Sequence, residues 1–508
     1  MDSQKRLGTG IEGLDDVLGG GLPAERLYLV EGDPGTGKTT LSLQFMLEGV
    51  RANESVLYIT LSESRDELTA SARSHGWSLD GVTIREYVVP EGSLSPDDQV
   101  TMFHPAEVEL LETIRRILAD VEALNPKRVV VDSLSDIRLL SQDSFRYRRQ
   151  LLALKEFFLE RRCTVLMLDD QTTGHRERHV QSTAHGVLHL EQLAPEYGGD
   201  RRRLRVSKLR GSAYRGGWHD YVIRHGGLDV FPRLVASEHR QRLDRSALTT
   251  GMAPLDAVLG GGIQSGTSTL ILGPAGSGKT TVAMQFVAAA ARRGQRAAVF
   301  VFDEIADVLL ERSSALSLPL RELVESGELV VTQVDPAEMS PGQFSDALRE
   351  AVDQHRAELI VIDSLNGYFA AMPNERHLTS QLHEMLTYLS QRNVATILVY
   401  GQQGMIGANM AATVDASYLA DTVVLLRYFE AAGRVRKAIS VVKKRSGQHE
   451  DTIRELRIGS AGVEVGDALT NFRGILTGTP TFDGSSLSAE SMVKDRSASP
   501  APRRGRRT

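Results

Sequence analysis

Residues 32–39 read GDPGTGKT, and residues 273–280 read GPAGSGKT. Both segments fit the pattern G-x-x-x-x-G-K-[ST], in which glycines allow a tight turn whose backbone N–H groups converge on a phosphate. The first follows the apolar run LYLVEG at 27–32 and the second follows TLILGP at 269–274, while helical sequence comes after each. A phosphate loop has this position, between a buried strand and a helix N-terminus. The sequence therefore predicts two nucleotide sites.

The two loops contain the predicted nucleotide-binding residues. In the first loop these are Gly32, Asp33, Pro34, Gly35, Thr36, Gly37, Lys38, Thr39 and Thr40. In the second loop they are Gly273, Pro274, Ala275, Gly276, Ser277, Gly278, Lys279, Thr280 and Thr281. Lys38 and Lys279 are expected to reach the β- and γ-phosphates of ATP. A glycine-rich turn with an incidental lysine is the alternative, and two matches in the same context argue against it.

A long internal repeat contains both loops. Residues 9–49 align with residues 250–290 without a gap, so that Lys38 is paired with Lys279. A second matched landmark follows in each half, RVVVDSLSD in the first and LIVIDSLNG in the second. The chain is therefore predicted to contain two homologous units.

Strand-like and helix-like stretches alternate in each unit. Short apolar strands are predicted at 27–32, 128–132, 164–170, 269–274, 358–363 and 395–401. Apolar residues that recur every three or four positions predict an amphipathic helix through Val108, Leu111, Ile114, Leu118 and Val121. This alternation predicts an α/β fold, in which helices flank both faces of a mainly parallel sheet.

A magnesium position is predicted in each unit. Asp132 and Asp363 end apolar strands, where a carboxylate holds Mg²⁺ through water while the hydroxyl of Thr39 or Thr280 binds it directly. An ordinary aspartate at a strand end is the alternative. Recurrence of the position in both halves favours the metal, and ATP and Mg²⁺ are the expected cofactors.

Acids that activate water are predicted after the strand that follows each phosphate-loop helix. The first unit offers Glu63 there, preceded by Ser62, and the second offers Asp303 and Glu304. One half thus has a single acid where the other has two. The second unit is therefore the better equipped of the two for hydrolysis.

The composition excludes several classes of protein. The chain has 508 residues, a formal net charge of −6 and one cysteine, Cys163, so that an intramolecular disulfide and a four-cysteine zinc site are both excluded. Neither a signal-peptide pattern nor an apolar run long enough for a membrane span occurs in the sequence. We expect a soluble, cytoplasmic protein without membrane partners and with little affinity for nucleic acid.

The repeat and the composition predict the domain boundaries. The first ATPase domain is placed at 1–236 and the second at 245–480. Residues 481–508 are rich in Ser, Ala, Pro and Arg, which predicts a disordered basic tail. A basic arm that contacts a partner is the alternative for this tail.

At these residues the chain resembles the KaiC family of the RecA superfamily. The resemblance includes the TG…LD…LGGG entry at 9–21, both phosphate loops, the HGW element at 75–77 and RGILTGTP at 473–480. It implies two tandem RecA-like P-loop NTPase domains. It also implies a homohexamer with ATP at the subunit interfaces.

The resemblance further implies that a K-x-R element of each unit contacts the γ-phosphate bound to a neighbouring subunit. The matching residues are Lys208 and Arg210 in the first unit, and Lys443 and Arg445 in the second. Such a cation stabilises transferred charge as an arginine finger does. A solvated strand end is the alternative interpretation of each basic triplet.

The resemblance also suggests serine/threonine autokinase activity in the second domain. Family members phosphorylate adjacent Ser and Thr residues, and Ser417-Tyr418 of this chain aligns with that pair. Serine is kept and threonine is replaced by tyrosine, which makes Ser417 the candidate phosphosite. An interface hydroxyl without a chemical role is the alternative.

Three functions remain open from the sequence. The first is a Mg-dependent ATPase and autokinase that acts as an ATP-driven signalling or timing hexamer, with a possible signalling protein as partner. The second is a RecA-like DNA-handling motor or recombination accessory, which the net charge disfavours. The third is a nucleotide-switched scaffold with weak hydrolysis.

Overall fold

The computed structural model describes residues 5–87, 105–141, 144–170, 178–195, 198–239, 246–370, 377–402, 417–460, 462–476 and 480–482. Packing divides the chain into two compact units, residues 1–234 with 337–348 and residues 235–336 with 349–508. Each half of the chain contains one phosphate loop and one large sheet.

The first half contains seven described helices and eleven described strands. The helices are α1 (Glu12–Val17), α2 (Lys38–Arg51), α3 (Arg65–Ser74), α4 (Pro105–Leu124), α5 (Leu134–Ser141), α6 (Ser144–Glu160) and α7 (Arg178–Thr183). The strands are β1 (Arg6–Leu7), β2 (Leu22–Pro23), β3 (Leu27–Gly32), β4 (Val56–Thr60), β5 (Thr83–Glu86), β6 (Arg128–Asp132), β7 (Thr164–Asp170), β8 (Gly186–Leu193), β9 (Arg201–Leu209), β10 (His219–Arg224) and β11 (Gly227–Phe231).

Nine of these strands form the first sheet, in the order β11-β10-β9-β8-β3-β7-β6-β4-β5. The six strands from β8 to β5 are parallel, and β9, β10 and β11 extend the sheet in antiparallel fashion. The phosphate-loop strand β3 therefore lies between β7 and β8, inside the parallel part. Side chains at the carboxyl ends of β4, β6 and β7 meet near the loop for this reason.

After the short 3-10 helix Ala236–His239, the second half repeats the design. Its helices are α8 (Ala253–Val258), α9 (Lys279–Arg292), α10 (Ala306–Ser314), α11 (Leu320–Glu325), α12 (Pro341–Asp353), α13 (Leu365–Ala370) and α14 (Leu378–Gln391). Its strands are β12 (Ala247–Leu248), β13 (Ile263–Gln264), β14 (Ser268–Gly273), β15 (Ala297–Val301), β16 (Leu329–Gln333), β17 (Leu359–Asp363), β18 (Ala395–Gly401), β19 (Thr422–Ala431), β20 (Arg434–Lys444), β21 (Arg454–Gly459), β22 (Gly462–Ala468), β23 (Phe472–Arg473) and β24 (Thr481–Phe482).

The second sheet has the order β16-β15-β17-β18-β14-β19-β20-β21-β22. The strands from β16 to β19 are parallel and the last three are antiparallel. The phosphate-loop strand β14 again lies between two parallel neighbours. The predicted α/β fold with two mainly parallel sheets is thus confirmed.

Strand β3 is buried on both faces because helices cover both sides of the first sheet. Tyr28 and Val30 pack into one apolar cluster with residues of α2, while Leu27 and Leu29 pack into another with residues of α4 and α6. Alternation of side chains along the strand produces this division. Burial on both faces explains why the run LYLVEG is apolar without an alternating polar pattern.

One part of the helix prediction was wrong. The face of α4 that packs on the sheet contains Leu110, Ile114, Ile117 and Val121, while Leu111 is 47% exposed. The prediction included Leu111 in the apolar stripe because two neighbouring sets of positions on this helix both recur at spacings of three and four. Only packing against the sheet selects between the two sets.

The end of the chain differs slightly from the predicted boundary. Residues 481–482 form β24, which pairs with β23, so that regular structure continues two residues into the predicted tail. The rest of that tail, 483–508, lies outside the described residues. No helix in the described part of the chain has the length and hydropathy needed to cross a bilayer.

Two candidate nucleotide sites

The phosphate loops join the predicted strand to the predicted helix in both halves. Gly35 and Gly37 have φ of +83° and +89°, and Gly276 and Gly278 have φ of +72° and +101°. Side chains other than glycine rarely adopt these backbone angles, so the glycine positions of the motif follow from the turn itself. The tip residues 33–35 are exposed, as expected for a loop that receives a ligand.

The first glycine of each loop is required by close packing. A Cβ on Gly32 would lie 2.6 Å from the carbonyl oxygen of Leu190, and one on Gly273 would lie 2.8 Å from that of Leu426. Within the loops, the hydroxyl of Thr36 donates to the carbonyl of Asp33 over 2.8 Å. These contacts hold the first turn against the neighbouring strand.

The loop lysines have different partners. Lys38 Nζ lies 2.9 Å from the carbonyl oxygens of Gly32 and Asp33, and 2.7 Å from Asp170 Oδ1. Lys279 Nζ donates to the carbonyl of Pro274 over 2.9 Å. Burial lowers the pKa of Lys279, and the nearby carboxylates of the second site oppose that shift.

Asp132 is held at the end of β6 by two hydroxyl donors. Tyr58, fully buried on β4, donates to Asp132 Oδ2 over 2.6 Å, and Thr39 Oγ1 lies 3.4 Å from the same oxygen. Burial raises the pKa of Asp132, while the bond from Tyr58 opposes the rise. The predicted magnesium pair Thr39 and Asp132 thus lies together.

Asp363 occupies the same position in the second half, but fewer hydrogen-bond donors among the described residues reach its carboxylate. Its Oδ2 atom is buried and has no hydrogen-bond partner among the described residues. Burial raises the pKa of this carboxyl to about 6, against a hydrogen bond from Thr280 that lowers it. The position equivalent to Tyr58 is occupied by Val299, which has no donor to offer.

Glu63 lies in the turn after β4, near the first loop. Its carboxylate has no ion pair or hydrogen bond within the described part of the chain, although its backbone is bonded to the Thr60 hydroxyl over 2.6 and 3.0 Å. Burial raises the pKa of Glu63, and the charges of Asp132, Glu67 and Asp170 raise it further. A carboxylate with a raised pKa is a better proton acceptor for an attacking water.

The two acids of the second half have separate partners. Asp303 is exposed and accepts a short hydrogen bond from Ser364, the residue after Asp363. Glu304 is half-buried and forms an ion pair with Arg312 of α10, at 2.7 Å. Both acids lie just beyond β15 and not on it, because that strand ends at Val301.

The basic residues of the first half lie far from their own phosphate loop. Lys208 is paired with Val187, which is paired with Leu29, three residues before Gly32. Because a strand rises roughly 3.3 Å per residue, the Lys208 backbone is displaced about 10 Å toward the opposite sheet edge. Strand β9 continues in that direction to Leu209, and Arg210 follows it.

These basic side chains hold the turn at the end of α7. Lys208 Nζ donates to the carbonyls of Gln181 at 2.6 Å, Ser182 at 3.1 Å and Ala184 at 2.7 Å. Arg210 donates to the carbonyl of Ser182 over 2.9 Å. The turn and the two cations therefore form one rigid corner of the domain.

The second half repeats this corner around the candidate phosphosite. Lys443 Nζ donates to the carbonyls of Ser417 and Ala420, each over 2.7 Å. Arg445 donates to the carbonyl of Tyr418 over 3.0 Å. Ser417 is half-buried and the Tyr418 side chain is 53% exposed.

The donor chemistry of both loops fits Mg²⁺. Each site brings one hydroxyl and one carboxylate to the loop, and the buried Asp363 Oδ2 has no hydrogen-bond partner in the part of the chain that the structure describes. Mg²⁺ binds to proteins through one or two such oxygens, and phosphates and waters complete its shell. Groups of three or more His, Cys, Asp or Glu side chains suited to a metal do not occur in the described ranges.

Two residues of the first site were missed by the sequence analysis. Tyr58 was treated only as part of an apolar strand, and Asp170 only as the end of another. A comparison of the two copies contains the signal, because TVLMLDD in β7 corresponds to ATILVYG in β18. An acid thus stands at the end of β7 where the second copy has Gly401.

The geometry agrees with the results of comparison with known proteins. The family model described as "ATPase: KaiC" matches residues 7–235 and again residues 248–470. The circadian clock oscillator protein KaiC of Synechococcus elongatus is 28% identical over 485 residues, which are 94% of this chain and 92% of that protein. The proteins of the same name from Picosynechococcus and Thermostichus vulcanus are each 27% identical with the same coverage. The chain therefore belongs to the KaiC family of ATPases, with two tandem RecA-like domains.

Proposed function

We propose that this KaiC-family ATPase is magnesium-dependent and hydrolyses ATP at the interfaces between its copies in a ring. The observation that carries the proposal is the position of Lys208, Arg210, Lys443 and Arg445 at the sheet edge opposite their own loops. Lys208 uses its three N–H groups on carbonyls of its own chain, so in the first half Arg210 is the cation suited to a nucleotide on a neighbouring copy. In the second half Lys443 and Arg445 occupy the matching positions. The number six and the role in signalling or timing follow from family resemblance, since the curated relatives are circadian clock oscillators.

Each site has the parts needed for hydrolysis. The loop N–H groups and Lys38 or Lys279 bind the phosphates, and bound Mg²⁺ would neutralise part of their charge. Glu63 or Glu304 accepts a proton from the attacking water as its oxygen bonds to the γ-phosphorus and the bond to ADP breaks. The neighbour's arginine stabilises the negative charge that develops.

The lysines test the assignment of the two sites. We expect Lys38→Ala and Lys279→Ala each to halve the number of ATP molecules bound per chain, measured by calorimetric titration of the full chain. ATP turnover and assembly state, measured in parallel, identify which site supports the ring and which supplies most hydrolysis. Unchanged ATP stoichiometry in both variants would overturn the site assignment.

We further propose that the second domain phosphorylates Ser417. The support is that Lys443 and Arg445, the cations assigned to a neighbour's γ-phosphate, also hold the Ser417–Tyr418 turn. This arrangement would present the Ser417 hydroxyl to the same nucleotide. Its oxygen would bond to the γ-phosphorus, ADP would leave, and a nearby carboxylate would take the proton.

Mass spectrometry after incubation with ATP tests the kinase proposal. We expect phosphate on Ser417 in the parent chain and none at that position in Ser417→Ala, with ATP turnover retained. Ser182→Ala is the matched control, because Ser182 lies in the equivalent turn, beside Lys208 and Arg210. Turnover without phosphoserine at 417 would leave the ATPase proposal standing and refute the kinase proposal.

A DNA-handling role predicts a different result. Salt-dependent binding of the full chain to DNA, lost on removal of residues 481–508, would favour that role over the signalling ring. With a net charge of −6 we expect no such binding at low salt. A signalling protein is the partner class that we propose instead.

A further inference from the structure

All three donors of the Lys38 ammonium are engaged inside its own half of the chain. Two bonds go to the carbonyls of Gly32 and Asp33, and the third goes to the carboxylate of Asp170. An ammonium has three N–H groups, so this set uses them all. Lys38 is 7% exposed, which keeps water from replacing these partners. Lys38 therefore cannot bind a phosphate oxygen without giving up one of them.

Asp170 is the most replaceable of the three partners. The carbonyls of Gly32 and Asp33 belong to the loop backbone, which wraps around the lysine, whereas the Asp170 side chain reaches across from β7. The main chain of Asp170 is anchored by pairing with Gly32 and by a bond from its N–H to Ser135 Oγ at 3.1 Å. Its side chain, at 32% exposure, can turn away while the main chain stays in place.

Among the described residues, no carboxylate is bonded to the lysine of the second site. Gly401 pairs with Gly273 as Asp170 pairs with Gly32, so the two positions correspond in the sheet. Lys279 donates to one carbonyl, that of Pro274, and Asp363 and Asp303 act on it through their charge. The difference between Asp170 and Gly401 thus determines whether the residue at this sheet position can form an ion pair with the loop lysine.

A phosphate oxygen and a carboxylate oxygen compete for the same ammonium. Both are anionic acceptors that form short bonds to Lys, so one replaces the other with little change in geometry. A carboxylate that stays beside bound phosphate also repels it, because like charges brought together are unfavourable. Burial is the main reason that the pKa values of Glu63 and Asp132 are raised, and the charge of Asp170 raises both further.

We propose that Asp170 is the residue that sets nucleotide affinity at the first site, because the phosphates of ADP or ATP must displace it from Lys38. This inference rests on the proposed function, in which the first loop binds nucleotide. The class of ligand affected is any nucleotide with a β-phosphate. The second site, with Gly401 in place of the acid, binds the same nucleotides without this competition.

Calorimetric titration of the full chain with ADP and ATP tests the proposal, in a Lys279→Ala background that leaves the first site. We expect Asp170→Asn to bind both nucleotides about tenfold more tightly, since a neutral amide competes less for the ammonium. Adenosine, which has no phosphate, should bind equally to both chains. A purely structural role of Asp170 would not separate these ligands.

Asp169→Asn is the matched control for charge. Asp169 is the preceding residue, and its carboxylate is bonded to Arg138 at 2.7 and 2.8 Å and not to Lys38. We expect no gain in ADP affinity from this change. A gain equal to that of Asp170→Asn would mean that general charge in the site, and not competition for Lys38, controls affinity, which would overturn the proposal.

The reciprocal substitution transfers the competitor to the second site. In a Lys38→Ala background, we expect Gly401→Asp to bind ADP about tenfold more weakly than Gly401→Asn, which has the same shape without the charge. Both side chains meet Asn366, whose Oδ1 lies 3.2 Å from a Cβ built on Gly401, so the steric cost is shared. Equal affinities of the two variants would contradict the proposal.

The failure of this inference can be distinguished from the failure of the proposed function. If the first site binds ADP equally, or more weakly, after Asp170→Asn, the inference is overturned and the proposed function stands. If the Lys279→Ala chain binds no ADP with either Asp170 or Asn at 170, the first loop is not a nucleotide site. The proposed function then fails for that half, and the inference fails with it.

Discussion

The two nucleotide sites share a backbone and differ in how their charges are compensated. In the first, Asp132 is bonded by Tyr58 and Lys38 is paired with Asp170. In the second, one oxygen of Asp363 is buried without a partner in the described structure, and its pKa is raised to about 6. The loop lysine and the strand-end aspartate of the first site therefore have partners in their own half, whereas one oxygen of the strand-end aspartate in the second has none among the described residues.

The structure adds an acid to those that the sequence assigned to the first site. The first half has one acid after β4 where the second has two after β15, but Asp170 adds a carboxylate from β7. Glu63, Asp132 and Asp170 act on one another through their charges in the first site, and Asp303 and Glu304 act in the same way on Asp363 in the second. Two copies of a repeat can therefore contain similar numbers of carboxylates although these lie on different strands, provided that the strands end at the same edge of the sheet.

The largest effect is expected from removing the arginine that each site is proposed to receive from a neighbouring copy. We expect Arg210→Ala and Arg445→Ala to lower ATP turnover at the affected sites by about 10³-fold, the range of an arginine finger. Arg434→Ala, at the exposed start of β20, is the control and should leave turnover unchanged. ATP turnover of the assembled protein is the measurement.

Mixed assemblies decide between a cation from the same chain and one from a neighbour. Arg445→Ala chains mixed with Glu304→Gln chains contain some interfaces with both residues intact. We expect turnover in the mixture to exceed that of either variant alone. No recovery on mixing would place the cation and the acid in the same chain and refute the interface site.

The next largest effect is expected from removing the acid that activates water at each site. We expect Glu63→Gln, in a Lys279→Ala background, and Glu304→Gln, in a Lys38→Ala background, each to reduce turnover by about 10²-fold through loss of a proton acceptor. Asp66→Asn and Asp307→Asn, exposed acids on the helices that follow, are the matched controls. Full turnover in Glu63→Gln would show that another carboxylate of the first site does this work.

The buried carboxylate of Asp363, with one oxygen that has no partner among the described residues, predicts a pH-dependent stability difference. Because its pKa is raised from 3.8 to about 6 in the folded protein, protonated Asp363 stabilises the fold below pH 4, and that contribution is lost as the pH rises through about 6. Asp363→Asn stays neutral. We therefore expect it to exceed the parent by about 3 kcal/mol in unfolding free energy at pH 8 and to match it at pH 4.

Hydrogen exchange of β17 and β18, without nucleotide or Mg²⁺, measures this difference locally. Tryptophan fluorescence is unsuitable for the purpose because Trp77 and Trp218 both lie in the first half. Asp467→Asn, an exposed acid on β22, is the control and should show no pH-dependent gain. A stability difference that is constant between pH 4 and pH 8 would contradict the assignment.

The smallest effect concerns the donor that only the first site has. Tyr58→Phe leaves Asp132 without its 2.6 Å bond, and we expect the first half to lose about 1–2 kcal/mol of unfolding free energy. Urea unfolding followed by the fluorescence of Trp77 and Trp218 measures it. In a double-mutant cycle with Asp132→Ala, which removes the acceptor, the two losses should not add, and additive losses would mean that the bond contributes nothing.

The local parts of both sites were predictable from sequence. Glycine at positions of positive φ, lysine and threonine at the helix start, and an apolar strand before them depend on neighbours along the chain. The internal repeat and the alternation of strands and helices predicted the α/β fold for the same reason. Strands at 128–132, 164–170 and 395–401 have the predicted bounds.

The tertiary structure alone decided what depends on strand order. Because β3 lies between β7 and β8, Asp170 meets Lys38, although 132 residues separate them along the chain. The same order places Lys208 and Arg210 at the far edge from their loop. Packing on the sheet, not periodicity, chose the buried face of α4. The sequence by itself determined two phosphate loops in two α/β domains, since turn and strand chemistry is local. The order of strands in each sheet decided which charged residues surround each loop lysine, because strands that are hydrogen-bonded to each other are distant in sequence.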